Sequence, residues 1–259
     1  MRLVDLTLGY DGHPAVHHLE GSFTAGSLTA VVGPNGSGKS TLLRGLMGAL
    51  PPLGGRIEHA HRPERDIAYL PQSAEIDRSF PAPVADLVAL GFWTTRGSLA
   101  AITAADRRRL ADALEAVGLA GFAGRGLDTL SGGQLQRALF ARVMVQDAPV
   151  ILLDEPFAAV DERTVGDLVG IVKRWHGEGR TVIVVLHDLA LVRRIFPETL
   201  LLAREPIAWG PTAAVLTADN LRRARHMNEA WDERAPWHDD GDGHGHGHDH
   251  APASAEPVP

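Results

Sequence analysis

The spacing of apolar and polar residues divides the chain into regions of different predicted structure. Residues 1–32 alternate apolar and polar positions between glycine-containing turns, which predicts a small antiparallel sheet. Short apolar, β-branched runs at 28–32, 150–153 and 181–186 predict buried strands, because strands covered on both faces are apolar at nearly every position. A further short strand is predicted at 67–70, so the core is expected to be a mixed sheet.

The rest of the pattern predicts a helical subdomain and an unstructured end. From about residue 80 to 146, apolar positions recur three and four residues apart, as on the buried faces of helices. From residue 236 onward the sequence is polar and rich in glycine and proline, without periodicity, which is typical of disorder. We therefore expect an α/β domain over residues 1–235, with its helical subdomain at about 80–146, and a disordered tail over 236–259.

Between the predicted strand at 28–32 and a predicted helix at 42–50 lies a glycine-rich loop that fits the pattern G-x-x-x-x-G-K-[ST]. Strand, loop and helix N-terminus would aim several backbone N–H groups at one point, which suits phosphate. Lys39 would then reach the β and γ phosphates of a nucleotide, and the Ser40 hydroxyl would ligate Mg²⁺. The alternative, a chance glycine-rich turn, does not explain the strand and helix on either side. The predicted nucleotide-contacting residues are Gly33, Pro34, Asn35, Gly36, Ser37, Gly38, Lys39, Ser40 and Thr41.

Polar side chains follow three of the predicted strands. Asp154 and Glu155 end the apolar run that begins at residue 150, His187 follows the run at 181–186, and Gln72 follows the strand at 67–70. Parallel strands end at one edge of a sheet, where open α/β sheets bind their ligands. Asp154 suits Mg²⁺ and Glu155 suits polarising an attacking water. Taken singly, a glutamine here is as often a structural or solvated residue, and a lone histidine is more often a packed or capping residue.

A second candidate anion site lies within the helical region, at Leu-Ser-Gly-Gly-Gln over residues 130–134. Ser131 is a typical helix N-cap, and the glycines Gly132 and Gly133 would expose backbone N–H groups at the helix N-terminus. An ordinary cap needs one glycine at most, so the pair, with Gln134 after it, favours anion binding.

Composition limits the functional classes. The 259 residues carry a formal net charge of −7, which argues against a nucleic-acid-binding protein with a basic surface. The chain has no cysteine, which excludes disulfides and thiolate metal sites. No apolar run reaches the roughly 18 residues of a membrane span, so any membrane role is expected to come through a partner.

Taken in this order, the P-loop, the Leu-Ser-Gly-Gly-Gln segment and the paired acids resemble the nucleotide-binding subunit of ABC transporters over about residues 1–225. The resemblance implies an ABC-type P-loop ATPase that uses ATP and Mg²⁺. It also implies roles for individual residues: adenine stacking by Tyr10, Mg²⁺ and partner sensing by Gln72, the signature at Ser131, Gly132, Gly133 and Gln134, Mg²⁺ binding by Asp154, catalysis by Glu155, the D-loop at Asp161 and the switch histidine at His187. Without the resemblance, Tyr10 reads more often as a surface tyrosine.

The resemblance implies partners as well. Two copies of the chain would sandwich two ATP molecules, each signature facing the other copy's P-loop, and the dimer would drive integral membrane permease subunits at the cytoplasmic face of the cell membrane. Residues 71–91 are similar to zinc and manganese importer ATPases, which work with an extracytoplasmic metal-binding protein. Residues 186–189 instead resemble haem and siderophore importer ATPases, so a haem or siderophore substrate stays as the alternative and zinc is preferred.

The predicted tail carries its own chemistry, because histidine alternates with glycine and aspartate. Its imidazole and carboxylate groups could bind Zn²⁺ without a fixed geometry, although a purification tag or a neutral end would look similar. A metal-storage or metallochaperone protein is thus the alternative from another class, but it would have no use for Glu155 or His187. The tail histidines are His238, His244, His246, His248 and His250.

Overall fold

A computed structural model describes residues 1–60, 62–72, 77, 80–97, 101–158 and 160–230 of the chain. The predicted tail at 236–259, with its five histidines, lies outside the described residues. The strands are β1 (Arg2–Tyr10), β2 (His13–Ser22), β3 (Leu28–Val32), β4 (Gly54–Glu58), β5 (Ile67–Leu70), β6 (Val150–Asp154), β7 (Thr181–Val185), β8 (Glu198–Ala203) and β9 (Glu205–Pro211).

The helices fall mainly between β5 and β6 and after β6. Short 3₁₀ turns occur at Leu90–Phe92 and Leu127–Thr129. The α-helices are α1 (Lys39–Leu46), α2 (Pro63–Asp66), α3 (Val84–Ala89), α4 (Trp93–Arg96), α5 (Ala104–Ala116), α6 (Gly132–Gln146), α7 (Glu162–Gly177), α8 (Leu189–Ile195), α9 (Thr212–Val215) and α10 (Ala218–Ala230).

The described strands form two sheets. The larger has the order β5-β6-β7-β3-β8-β9, in which all neighbours are parallel except the last pair. The smaller has the order β2-β1-β4 and is antiparallel. The expected mixed sheet with an antiparallel N-terminal subdomain is thus confirmed, but the segment 28–32 belongs to the large sheet and β4 replaces it in the small one.

The central strands are apolar at nearly every position because each face of the large sheet packs into a different core. Val182 and Val184 of β7 lie in a cluster with α6 and α7, where the Phe140 and Trp175 rings stack with centroids 5.6 Å apart. Ile183 and Val185 lie in a second cluster with the antiparallel sheet and α1. This two-sided burial accounts for the unbroken hydrophobic runs.

The bounds of one predicted helix differ from the expectation, and the predicted start of another is confirmed. The helix expected at 42–50 begins at Lys39 and ends at Leu46, since Gly48 takes a left-handed φ of +76° that stops it. The helix predicted to follow the N-cap Ser131 starts at Gly132, as expected, because first-turn residues need no intrahelical N–H bond and glycine costs little there. Across the described part of the chain, no helix combines the length and apolar character needed to cross a bilayer.

Candidate active site

The P-loop joins β3 to α1 and packs its backbone tightly against neighbouring strands. Gly38, just before α1, has a φ of +87°, a left-handed conformation that favours glycine. A Cβ added there would lie 2.4 Å from the Ala15 carbonyl oxygen of β2, and one added to Gly33 would lie 1.9 Å from the Leu202 oxygen of β8. Both glycines are therefore required by close backbone contact, independently of any ligand.

Lys39 is the first residue of α1 and is only 6% exposed. Its ammonium donates hydrogen bonds to the Gly33 oxygen at 3.0 Å and to the Pro34 oxygen at 2.7 Å. Burial lowers the pKa of Lys39 from its ordinary value, and the negative charges of Glu155 and Asp154 oppose that shift. The ammonium is thus folded against the loop, with two carboxylates near enough to favour its charged form.

Three polar residues that follow different strands of the large sheet meet at one atom. The Gln72 side-chain amide, after β5, donates to Glu155 Oε1 at 3.1 Å, and His187 Nε2, after β7, lies 2.6 Å from the same oxygen. Glu155 itself follows β6 directly, in a left-handed conformation with a φ of +48°. Such a φ is uncommon for a residue with a side chain and is often found at functional sites.

Asp154 is the last residue of β6 and is fully buried. The Tyr69 hydroxyl, on the neighbouring strand β5, donates to Asp154 Oδ2 at 3.5 Å. A buried carboxylate is stable only when hydrogen-bonded or paired with a cation. The sequence thus predicted correctly that Asp154 and Glu155 lie at the carboxyl edge of a buried strand.

An open cleft of about 320 Å³ connects the P-loop to this edge. Lys39, Gln72 and Glu155 all reach it, so residues predicted from separate parts of the sequence share one surface. The described residues that line it are Ala15, Asn35, Gly36, Ser37, Gly38, Lys39, Ser40, Thr41, Gln72 and Glu155.

The segment 130–134 leads into α6 and is absent from the described lining of this cleft. Ser131 is the exposed N-cap, and its hydroxyl accepts a hydrogen bond from the Gln134 backbone N–H at 3.2 Å. The Gln134 side-chain oxygen in turn accepts from the Ser131 N–H at 3.0 Å. This reciprocal capping box fixes the start of α6 and leaves the N–H groups of Gly132 and Gly133 in its first turn.

Asp161 lies beside the signature helix in the same chain and caps α7. Its carboxylate accepts from the Thr164 backbone N–H at 2.9 Å and from the Thr164 hydroxyl at 2.7 Å. These hydrogen bonds hold the pKa of Asp161 below its ordinary value. A Cβ added to Gly133 would lie 3.7 Å from Asp161 Oδ2, so the two segments are adjacent.

Tyr10 is the last residue of β1 and remains 43% exposed. Arg44 of α1 donates to its hydroxyl at 3.2 Å, which places the ring beside the helix that follows the P-loop. Stacking of Tyr10 on a nucleotide base stays a prediction.

Comparison with known proteins decides the family. The family model described as "ABC transporter" matches residues 16–158, which include the P-loop, the signature and both carboxylates. The chain belongs to the ABC transporter family. It is accordingly an ATPase of the ABC type that binds ATP together with Mg²⁺.

Two curated ABC relatives and one solved structure cover most of the chain. The manganese transport system ATP-binding protein MntB of Listeria monocytogenes is 37% identical over 86% of this chain and 95% of its own length. The zinc transport system ATP-binding protein TroB of Treponema pallidum is 38% identical over 85% of this chain and 84% of its own. The structure of a metal-chelate type ABC transporter, facing inward, is 30% identical over 87% of this chain and 88% of that one, with a TM-score of 0.77.

Two residues that contact predicted site residues were not identified from the sequence: Arg44 contacts Tyr10, and Tyr69 contacts Asp154. Arg44 lies 34 positions from Tyr10 in the sequence, so their contact was found only in the structure. Tyr69 was assigned to a strand without a role. The register of the parallel strands β5 and β6 places Tyr69 near Asp154, and hydrophobic periodicity does not give that register.

Proposed function

We propose that this chain is the ATP-hydrolysing subunit of a transporter that imports a metal ion, zinc or manganese. The observation that carries the hydrolytic part is the convergence of Gln72 and His187 on Glu155, at a cleft that also holds Lys39. The metal substrate rests on relatives that are named for manganese and zinc transport.

The donor set at the cleft fits Mg²⁺, which prefers oxygen ligands and keeps several waters. The Ser40 hydroxyl and the Gln72 side-chain oxygen come from residues that line the cleft, and the Asp154 carboxylate comes from the end of β6, one residue before Glu155. When bound, Mg²⁺ would neutralise charge between the β and γ phosphates. Lys39 would exchange its two carbonyl acceptors for phosphate oxygens, and the N–H groups of residues 35–41 would surround the same phosphates.

Glu155 is the proposed general base for the attacking water. Gln72 and His187 both engage Oε1, so Oε2 is the oxygen that can accept the water's proton. His187 is 43% exposed at this point, which lets its ring turn toward the γ phosphate once a nucleotide fills the cleft. In the transition state, charge on the γ phosphate would be stabilised by Lys39 and His187.

Two copies of the chain would complete each site. The signature residues Ser131 and Gly133 lie at the start of α6, away from the described lining of their own P-loop cleft. A second copy facing the first would bring its signature N–H groups and hydroxyl to the γ phosphate, so ATP binding would close the dimer. Hydrolysis would open it, and integral membrane permease subunits would take up the motion.

The chain would act at the cytoplasmic face of the cell membrane, bound there through the permease. An extracytoplasmic metal-binding protein would deliver the ion in the same system, and no nucleic acid takes part. A metal chelate such as haem or a siderophore is the second candidate substrate, because a metal-chelate type transporter is 30% identical over most of the chain. The tail histidines would bind Zn²⁺ and report its cytoplasmic level.

Metal accumulation in cells that lack the chain tests the substrate. Zinc, manganese and iron would be measured after growth under limitation for each, with wild-type and Glu155→Gln copies returned as controls. We expect a selective fall in zinc or manganese that only the wild-type copy restores. A fall in iron alone would move the assignment to the chelate class, and no change in any of the three would contradict metal import.

Deletion of residues 236–259 tests the tail. Zinc-responsive ATPase activity that disappears in the truncated chain, with basal activity retained, is the expected result. An unchanged response to zinc would contradict the proposed role of the tail in sensing zinc.

A further inference from the structure

Tyr69 and Asp154 face each other across two adjacent strands of the large sheet. In the parallel pairing of β5 and β6, Tyr69 is opposite Leu152, and Asp154 follows Leu152 by two positions. Alternate residues of a strand share a face, so the tyrosine ring and the carboxylate lie on the same side of the sheet. The long aromatic side chain spans this diagonal and brings its hydroxyl to 3.5 Å from Asp154 Oδ2.

The backbone of Tyr69 is fixed from the other side by α6. Strand β5 is an edge strand of the large sheet, so its outward carbonyl groups need partners outside the sheet. Arg142 donates to the Tyr69 oxygen, and Gln146 Nε2 donates to the Ile67 oxygen at 2.9 Å. Two side chains of the helix that begins at the signature thus hold the strand that carries Tyr69.

We propose that Tyr69 is a positioning residue for the magnesium aspartate: its backbone is anchored to α6 through Arg142, and its hydroxyl fixes the rotamer of Asp154. The inference rests on the proposed role of Asp154 as a Mg²⁺ ligand. Hydrogen bonds from outside the coordination sphere orient metal-binding carboxylates, and their loss typically weakens metal binding 10- to 100-fold. Because the hydroxyl lies at the long end of hydrogen-bond distance, the lower end of that range applies.

The direct test is Mg²⁺ binding by the full-length Tyr69→Phe chain loaded with a non-hydrolysable ATP analogue. We expect Mg²⁺ affinity to fall about tenfold, while affinity for the analogue in EDTA stays at the wild-type value. Thr199→Val is a matched control, since it removes another buried hydroxyl that lies 2.8 Å from the Thr212 hydroxyl. Its Mg²⁺ affinity should be unchanged.

Each pattern of outcomes has one meaning. If Asp154→Asn fails to weaken Mg²⁺ binding, the proposed metal site itself is wrong. If Asp154→Asn weakens it but Tyr69→Phe does not, the positioning role is wrong. A Tyr69→Phe chain that loses analogue affinity in EDTA as well would show a general packing role and would also overturn the inference.

A spectroscopic measurement covers the case in which Tyr69→Phe folds poorly. The chain has only two tyrosines, so the Cζ resonances of ¹³C-labelled tyrosine can be assigned with Tyr10→Phe. We expect the Tyr69 resonance to shift in Asp154→Asn, since the acceptor of its hydroxyl changes charge, with the Tyr10 resonance constant. A Tyr69 resonance that does not shift in Asp154→Asn would contradict the contact between the Tyr69 hydroxyl and Asp154.

Discussion

Replacing Lys39 by methionine removes one positive charge from the cleft while keeping an unbranched side chain of similar length. The nucleotide-free chain should tolerate the change. Burial already lowers the pKa of Lys39, so its charged form is less favourable in the folded protein than in the unfolded one at neutral pH. The methionine variant no longer has the free-energy cost of burying a charge. This gain offsets the loss of the hydrogen bonds to the Gly33 and Pro34 oxygens.

The change should weaken nucleotide binding far more than it destabilises the fold, because the ammonium would lie against the negative charge of the phosphates. At a separation of about 4 Å, two unit charges attract by about 4 kcal/mol at an effective dielectric constant of 20, and by about 1 kcal/mol in bulk water. The 6% exposure of Lys39 makes the first figure the appropriate one. We therefore expect ATP affinity to fall roughly a thousandfold, since each 1.4 kcal/mol is a factor of ten.

The assay is a titration with a non-hydrolysable ATP analogue at fixed Mg²⁺ and ionic strength. Lys173→Met is a matched control, because Lys39 and Lys173 are the two lysines of the chain and Lys173 is exposed on α7. Its affinity should match the wild type. If the affinity of Lys39→Met for the analogue fell only about fivefold, the loss would equal the attraction expected in bulk water. That result would refute the assigned contact with phosphate.

Two further predictions concern the signature helix and its neighbour. Ser131→Ala should lower the free energy of unfolding by about 1 kcal/mol through loss of the N-cap, measured by urea denaturation; an unchanged midpoint would contradict the cap. Because hydrogen bonds from Thr164 hold the pKa of Asp161 low, its ionised carboxylate stabilises the fold above its ordinary pKa, near 4. The stability advantage of wild type over Asp161→Asn should be constant around neutral pH and disappear as pH falls through the lowered pKa; a difference that persists at pH 2 would argue against an electrostatic origin.

The part of the site that sequence could predict follows from sheet geometry. Apolar runs that end in Gln72, Glu155 and His187 predict convergence, because parallel strands finish at a common edge. The P-loop was recognisable because its glycines are required by close backbone packing at Gly33 and Gly38. Both features depend on local sequence and on the regularity of the sheet.

Other parts depend on contacts between distant segments and had no local signal. The link from Arg142 to Tyr69 joins residues 73 positions apart, and the pairing of Arg44 with Tyr10 joins residues 34 apart. Helix α1 was expected three residues too late, since the pattern of apolar residues begins after Lys39 and Ser40. Side-chain orientation across a sheet requires strand order, which hydrophobic periodicity alone does not provide.

The most direct test of the account is ATP turnover and assembly of Glu155→Gln. With the general base removed, turnover should fall at least about a hundredfold, while ATP and Mg²⁺ still bind and convert the chain to a dimer in analytical ultracentrifugation. Glu115→Gln, an exposed change on α5, should keep wild-type turnover. Wild-type turnover in Glu155→Gln would contradict the central claim that Glu155, held by Gln72 and His187, activates the attacking water.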